Sequence, residues 1–199
     1  MLNIERMLPM LPGLIIGLTI HETAHAWMSY KLGDGLAQKR GRISLNPFAH
    51  LSLLGTLALF FIGFGWAKPV PINPFNYKHP KRDMLLTSLA GPFSNLLLAS
   101  LTLGFFHVAP VELFPAYIYQ ALVGLYLINL ILAMLNLLPF PPLDGSQIWL
   151  SLIPGIKPTL KAKWQSLSTI VLIVFIWSDG FSRIISPLIG HLLGLLPTV

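Results

Sequence analysis

The residues of this chain best suited to chemistry are two histidines four apart with a glutamate between them, in His21-Glu22-Thr23-Ala24-His25. On a helix, positions i and i+4 share a face, so both imidazoles can hold one metal ion while Glu22 beside them acts on a water there. This is the pattern of a zinc hydrolase, with two ligands and a general base. The five residues sit inside an apolar stretch of about 7–30. A carboxylate near the centre of a membrane helix costs at least about 2.5 kcal/mol, which marks it as functional. The plain alternative is a set of polar groups bonding neighbouring helices.

A catalytic zinc needs a third protein ligand and keeps one position for water. The chain has no cysteine, so thiolate ligands and disulfides are excluded. A third histidine at metzincin spacing would fall on position 31, which is Lys31. Of the seven acidic residues, Glu5, Asp34 and Asp83 lie at loops or helix ends, Glu112 on the opposite side, and Asp179 past the last good span. Asp144 remains, in Pro139-Phe140-Pro141-Pro142-Leu143-Asp144-Gly145, where prolines end a helix and the glycine allows a tight turn. Its other reading is a turn or cap residue. Asn95, in Ala90-Gly91-Pro92-Phe93-Ser94-Asn95, offers an amide donor for an oxyanion or a bond between helices. Asn136 is open to the same two readings.

The elements that must carry these residues belong to a membrane. Of 199 residues, 54% are hydrophobic and only 10% charged, where soluble domains have about 25%. Mean hydropathy is +0.72. The expected architecture is an all-α polytopic membrane protein of about four to six transmembrane helices. It forms one membrane-embedded domain over 1–199, with a core of 7–146 and C-terminal helices in 147–199. Stretches of roughly 7–30, 84–106, 117–138 and 165–178 read as spans of about 20 apolar residues. Residues 184–196 are either a further span or an interfacial helix. The alternation Arg42-Ile43-Ser44-Leu45 predicts a short strand.

Charge sets the sides. The regions 31–48, 67–83 and 140–164 hold 11 of the 13 basic residues, whereas 107–116 holds only Glu112. The basic regions are therefore expected in the cytoplasm. The apolar piece 50–66 then starts and ends on one side, so it should enter the membrane and return, although a plain extra span is the alternative. His21 lies ten residues before Lys31, and Asn95 twelve after Asp83. At 1.5 Å per residue both sit about 15–18 Å below the cytoplasmic face, a level Asp144 can reach only if 50–66 does not cross. The net charge of +6 comes without the aromatic-basic interleaving of nucleic-acid binders, so no nucleic-acid partner is expected.

Three motifs in order, His21-Glu22-Thr23-Ala24-His25, Gly91-Pro92-Phe93-Ser94-Asn95 and Pro141-Pro142-Leu143-Asp144-Gly145, resemble the site-2 protease family of intramembrane zinc metalloproteases. Gly41-Arg42-Ile43-Ser44-Leu45-Asn46-Pro47 and the stretch 65–74 resemble its compact prokaryotic branch, which lacks PDZ and CBS domains. The resemblance covers residues 13–146. It implies that His21, His25 and Asp144 bind one Zn2+, that Glu22 activates water, and that Asn95 lies near the scissile peptide. It also implies that 65–74 is a re-entrant β-like loop between the first two core helices, which pairs with the substrate backbone. Many compact members have an acidic residue soon after the histidine matching His50, where this chain has His50-Leu51-Ser52, so no role is assigned there. The implied activity is hydrolysis of peptide bonds in or near transmembrane segments of membrane-protein substrates, in a prokaryotic plasma membrane with the site toward the cytoplasm. Rival readings are a zinc or cation transporter and a catalytically idle membrane scaffold.

Overall fold

The computed structural model describes residues 8–62, 65–153, 155–156, 158–178 and 180–196. Glu5, Lys157 and Asp179 lie outside these. Seven helices organise the described chain. They are α1 (Leu11–Lys31), α2 (Leu53–Ile62), α3 (Pro80–Val108), α4 (Ala116–Asn136), α5 (Asp144–Leu152), α6 (Pro158–Trp177) and α7 (Gly180–Leu193). A single turn, Leu36–Lys39, follows α1. Two helices, α3 and α4, are long and apolar enough to cross a membrane. At 21 residues α1 matches α4 in length, but it carries His21, Glu22 and His25.

Helices α1, α3 and α4 pack together as the scaffold, with α5 against α3. Glycine brings α1 and α4 close, since a Cβ at Gly13 would lie 2.6 Å from the backbone nitrogen of Leu125. The pattern of burial is inverted relative to a soluble protein. Helix α3 buries Asp83, Thr87, Ser88, Gly91, Asn95 and Thr102, while Phe93 (67% exposed), Leu97 and Leu101 (63% exposed) line its outer face at spacings of four. Helix α6 likewise exposes Leu160, Leu167, Ile170, Val171 and Val174. An apolar core of Ala99, Phe106, Tyr126, Leu127 and Leu192 closes one end, where α7 meets α3 and α4.

Two helix ends steer the chain toward the site. Gly33 (φ 108°) ends α1, and the N–H of Asp34 donates to the Ser29 carbonyl at 3.0 Å in a Schellman arrangement. The same device recurs at Gly41 (φ 65°), where the N–H of Arg42 donates to the Ala37 carbonyl and the arginine turns inward. The expected strand over 42–45 does not form. Loop carbonyls there are bonded by side chains, Ser44 O by Thr23 and His50, so no ladder is left to make. The 50–66 piece contains α2, whose ten residues reach only about 15 Å. Its two ends meet, with Leu51 and Ala67 in an isolated antiparallel bridge and Lys68 N–H donating to His50 O at 2.7 Å. No strand is formed among the described residues.

Candidate metal centre

His21 and His25 project from one face of α1 into the interior, both about 95% buried. Their Nε2 atoms lie 3.0 Å apart. Asp144, the first residue of α5, brings Oδ2 to 3.0 Å from His21 Nε2 and 3.1 Å from His25 Nε2. Two glycines make the convergence possible. A Cβ at Gly91 would fall on His25 Nε2 and 2.6 Å from His21 Cε1, so only glycine lets α3 lie against both rings. A Cβ at Gly145 would collide with the carbonyls of Leu137 and Leu138, so the first turn of α5 can fold back on the end of α4. That fold-back carries Asp144 across to α1.

The outer nitrogens of the two rings decide what the inner ones offer. His25 Nδ1 lies 2.7 Å from the carbonyl of Thr87, which can only accept, so this nitrogen bears the hydrogen. His21 Nδ1 lies 2.6 Å from Asn95 Oδ1. The Asn95 amide is oriented by its nitrogen, which donates to the Gly17 carbonyl at 3.1 Å and to Asn129 Oδ1 at 2.7 Å. In the neutral rings both Nε2 atoms therefore present lone pairs, and a carboxylate oxygen joins them. Three acceptors about 3 Å apart repel one another unless a shared proton or a metal cation lies among them. Tetrahedral zinc with bonds near 2.0–2.1 Å spaces its ligands by about 3.3 Å, a few tenths from the separations here. The residues fit the metal, and each ring nitrogen turned away from it is held as metal-bound imidazoles usually are.

Glu22 is joined to a second cluster. Its Oε2 accepts the Val70 N–H at 3.1 Å and lies 3.9 Å from Arg42 Nη2. In Pro69-Val70-Pro71 the flanking prolines have no N–H, so Val70 supplies the sole main-chain donor of the three. Buried Arg42 donates to the carbonyls of Pro69 (2.9 Å) and Lys68, and stands beside His50. One peptide group, Pro69 to Val70, thus bonds Arg42 through its oxygen and Glu22 through its N–H.

The structure brings together His21, His25 and Asp144, with Asn95 behind His21. Of the two readings of Asn95, the bond between helices is the one made, since its buried amide nitrogen serves Gly17 O and Asn129 Oδ1. Asn136 donates to the Leu132 carbonyl one turn back on α4, a bond within its own helix. Sequence reasoning missed Asn129, although an asparagine deep in an otherwise apolar span is itself a signal. It also missed Arg42 and His50, whose burial follows from the Gly41 turn and the loop clasp.

Comparisons with known proteins place the chain among metalloproteases. Residues 104–178 match Peptidase family M50. The chain is 42% identical over 171 residues to "Putative zinc metalloprotease YwhC" of Bacillus subtilis, covering 82% of this chain and 76% of that one. It is 31% identical over 173 residues to "Putative zinc metalloprotease Rip2" of Mycolicibacterium smegmatis, covering 81% of this chain and 65% of the relative. The Rip2 protein of Mycobacterium tuberculosis is 31% identical over 154 residues, with 56% of its length spanned. No solved structure matches the chain. With a relative so similar over most of both lengths, the chain belongs to peptidase family M50, the site-2 protease family of metalloproteases.

Proposed function

We propose that this protein is an intramembrane zinc metalloprotease that cuts peptide bonds within or beside transmembrane segments of other membrane proteins. The observation that carries the reading is the convergence of three lone pairs from His21, His25 and Asp144 inside helices whose outer faces are apolar. One Zn2+ per chain would be held by those three residues. When bound, it supplies Lewis acidity and lowers the pKa of water toward about 7. Glu22, next to His21 on α1, takes the proton of the attacking water and returns it to the leaving amine. Its carboxylate is kept in place for both steps by the Val70 N–H and the Arg42 guanidinium. Asn95 and Thr87 hold the ligand rings.

Further support concerns placement. Two long apolar helices, the lipid-like outer faces of α3 and α6, and the clustering of basic residues favour a plasma-membrane protein with its site toward the cytoplasm. The shortness of α2 and the joined ends of 50–66 favour re-entry over crossing. The substrate helix must unwind before cleavage, because its amides are otherwise bonded within the helix. The test is Glu22→Gln. Zinc content measured by atomic absorption should stay near that of the wild type, while cleavage of a membrane-protein substrate falls by at least about a thousandfold, comparing membrane proteomes of cells with either form. Retained cleavage would reject Glu22 as the base.

A further inference from the structure

Asn129 is the polar side chain least explained by the proposed reaction. It lies in α4, is fully buried, and bonds Asn95 and the carbonyls of Leu125 and Gly13 rather than the three converging ligands. Its Nδ2 donates to the Leu125 carbonyl at 2.8 Å, an atom that can only accept, so its Oδ1 must face the other way. That oxygen meets Asn95 Nδ2 at 2.7 Å. The second hydrogen of Asn95 Nδ2 goes to the Gly17 carbonyl at 3.1 Å, and the remaining oxygen faces His21 Nδ1. Two backbone carbonyls, on α4 and α1, therefore fix the direction of both amides, and neither can flip without leaving a buried donor against a donor. Space for the arrangement comes from Gly17, where a Cβ would stand 2.7 Å from Asn129 Oδ1.

We propose that Asn129 is a positioning residue of the metal centre. Acting through Asn95, it holds His21 with its hydrogen on Nδ1 and its Nε2 lone pair turned toward the metal. This rests on the zinc reading above, and it extends the support of the site to a fourth helix, α4. A role limited to gluing α3 to α4 would change stability alone. A role in setting the ring would also change the metal's affinity and ligand field.

The test uses the full chain purified in detergent micelles. Zinc affinity is measured by competition with a chromogenic chelator, and Co2+ put in place of zinc reports the ligand field in its visible absorption. Removing a partner behind a metal-bound imidazole typically weakens affinity by 10–100-fold. Asn95→Leu should fall in that range, and Asn129→Leu, one bond further back, should weaken zinc by about tenfold and shift the Co2+ bands. Asn129→Asp, whose neutral acid keeps one acceptor and one donor in the same places, should restore most of the affinity. Folded Asn129→Leu with wild-type affinity and an unchanged Co2+ spectrum would overturn the inference while leaving the zinc reading intact. A wild-type chain that takes up neither metal would overturn both. If Asn129→Leu does not fold, Gly17→Ala probes the same relay by displacing the Asn129 oxygen, and wild-type metal binding there also counts against it.

Discussion

Gly91 shows how little room the metal centre has. Its absent side chain is the space that both imidazoles occupy, and the nearest atoms to an added Cβ are ring atoms of His25 and His21. These rings are held from behind by Thr87 and Asn95, so neither can retreat without losing a buried hydrogen bond. Gly91→Ala should therefore cost one ligand rather than merely crowd the core. We expect zinc affinity to drop by at least about tenfold, and proteolysis with it, in a chain that still folds. Isothermal titration of zinc into the metal-free variant checks this, and wild-type affinity would mean that α3 can move away from α1.

At the scale of elements, the loops between α1 and α3 are tied down by side chains rather than by a sheet. Asp34, buried just after α1, accepts from the Asn73 N–H (2.8 Å), the Asn76 amide (2.7 Å), the Leu36 N–H and the Ser29 hydroxyl. Burial by itself would raise its pKa, but these donors outweigh it and hold the carboxyl below its ordinary value of 3.8. A carboxyl with a lowered folded pKa adds stability that is fully present above 3.8 and is lost as pH falls through the folded value. Thermal unfolding of the purified protein should thus show an acid-sensitive component that sets in as pH falls below about 4. In Asp34→Asn that component should disappear, with a lower melting temperature at neutral pH. A variant with the same pH slope as wild type would assign the acid sensitivity elsewhere. The Ser29 hydroxyl also meets Tyr77 Oη, which meets Thr87 Oγ1, so the same network reaches the residue whose carbonyl orients His25.

For the whole molecule, the inverted burial is the governing fact. Polar groups that meet inside α3 and apolar groups that cover its outside are what a lipid solvent selects, since lipid gives no hydrogen bonds to backbone or side chain. Because the chain has no cysteine, its topology can be read with single introduced cysteines. A membrane-impermeant maleimide applied to intact cells should label Glu112→Cys and spare Lys39→Cys and Lys78→Cys until the membrane is opened. Labelling of Lys39→Cys and Lys78→Cys from opposite sides would mean that 50–66 crosses the bilayer. Labelling of both from outside would invert the proposed orientation.

The residues that converge in the candidate site were legible in the sequence because an apolar chain has so few polar groups to choose from. With seven acids, six histidines and no cysteine, spacing and depth left His21, His25, Glu22 and Asp144. Helix positions were legible too, and α3 and α4 begin and end within four residues of the expected spans. Orientation was not. Helices that are apolar nearly all round have no stripe to say which face turns inward, so rotation is set by packing, here by the contacts that Gly13, Gly17 and Gly91 permit. Only the tertiary structure could therefore decide that Asn95 accepts from His21 across 74 residues, that Asn129 stands behind it, and that Val70 and Arg42 meet Glu22. Residue chemistry is local to the chain, whereas the choice of hydrogen-bond partner depends on where three helices place their backbones.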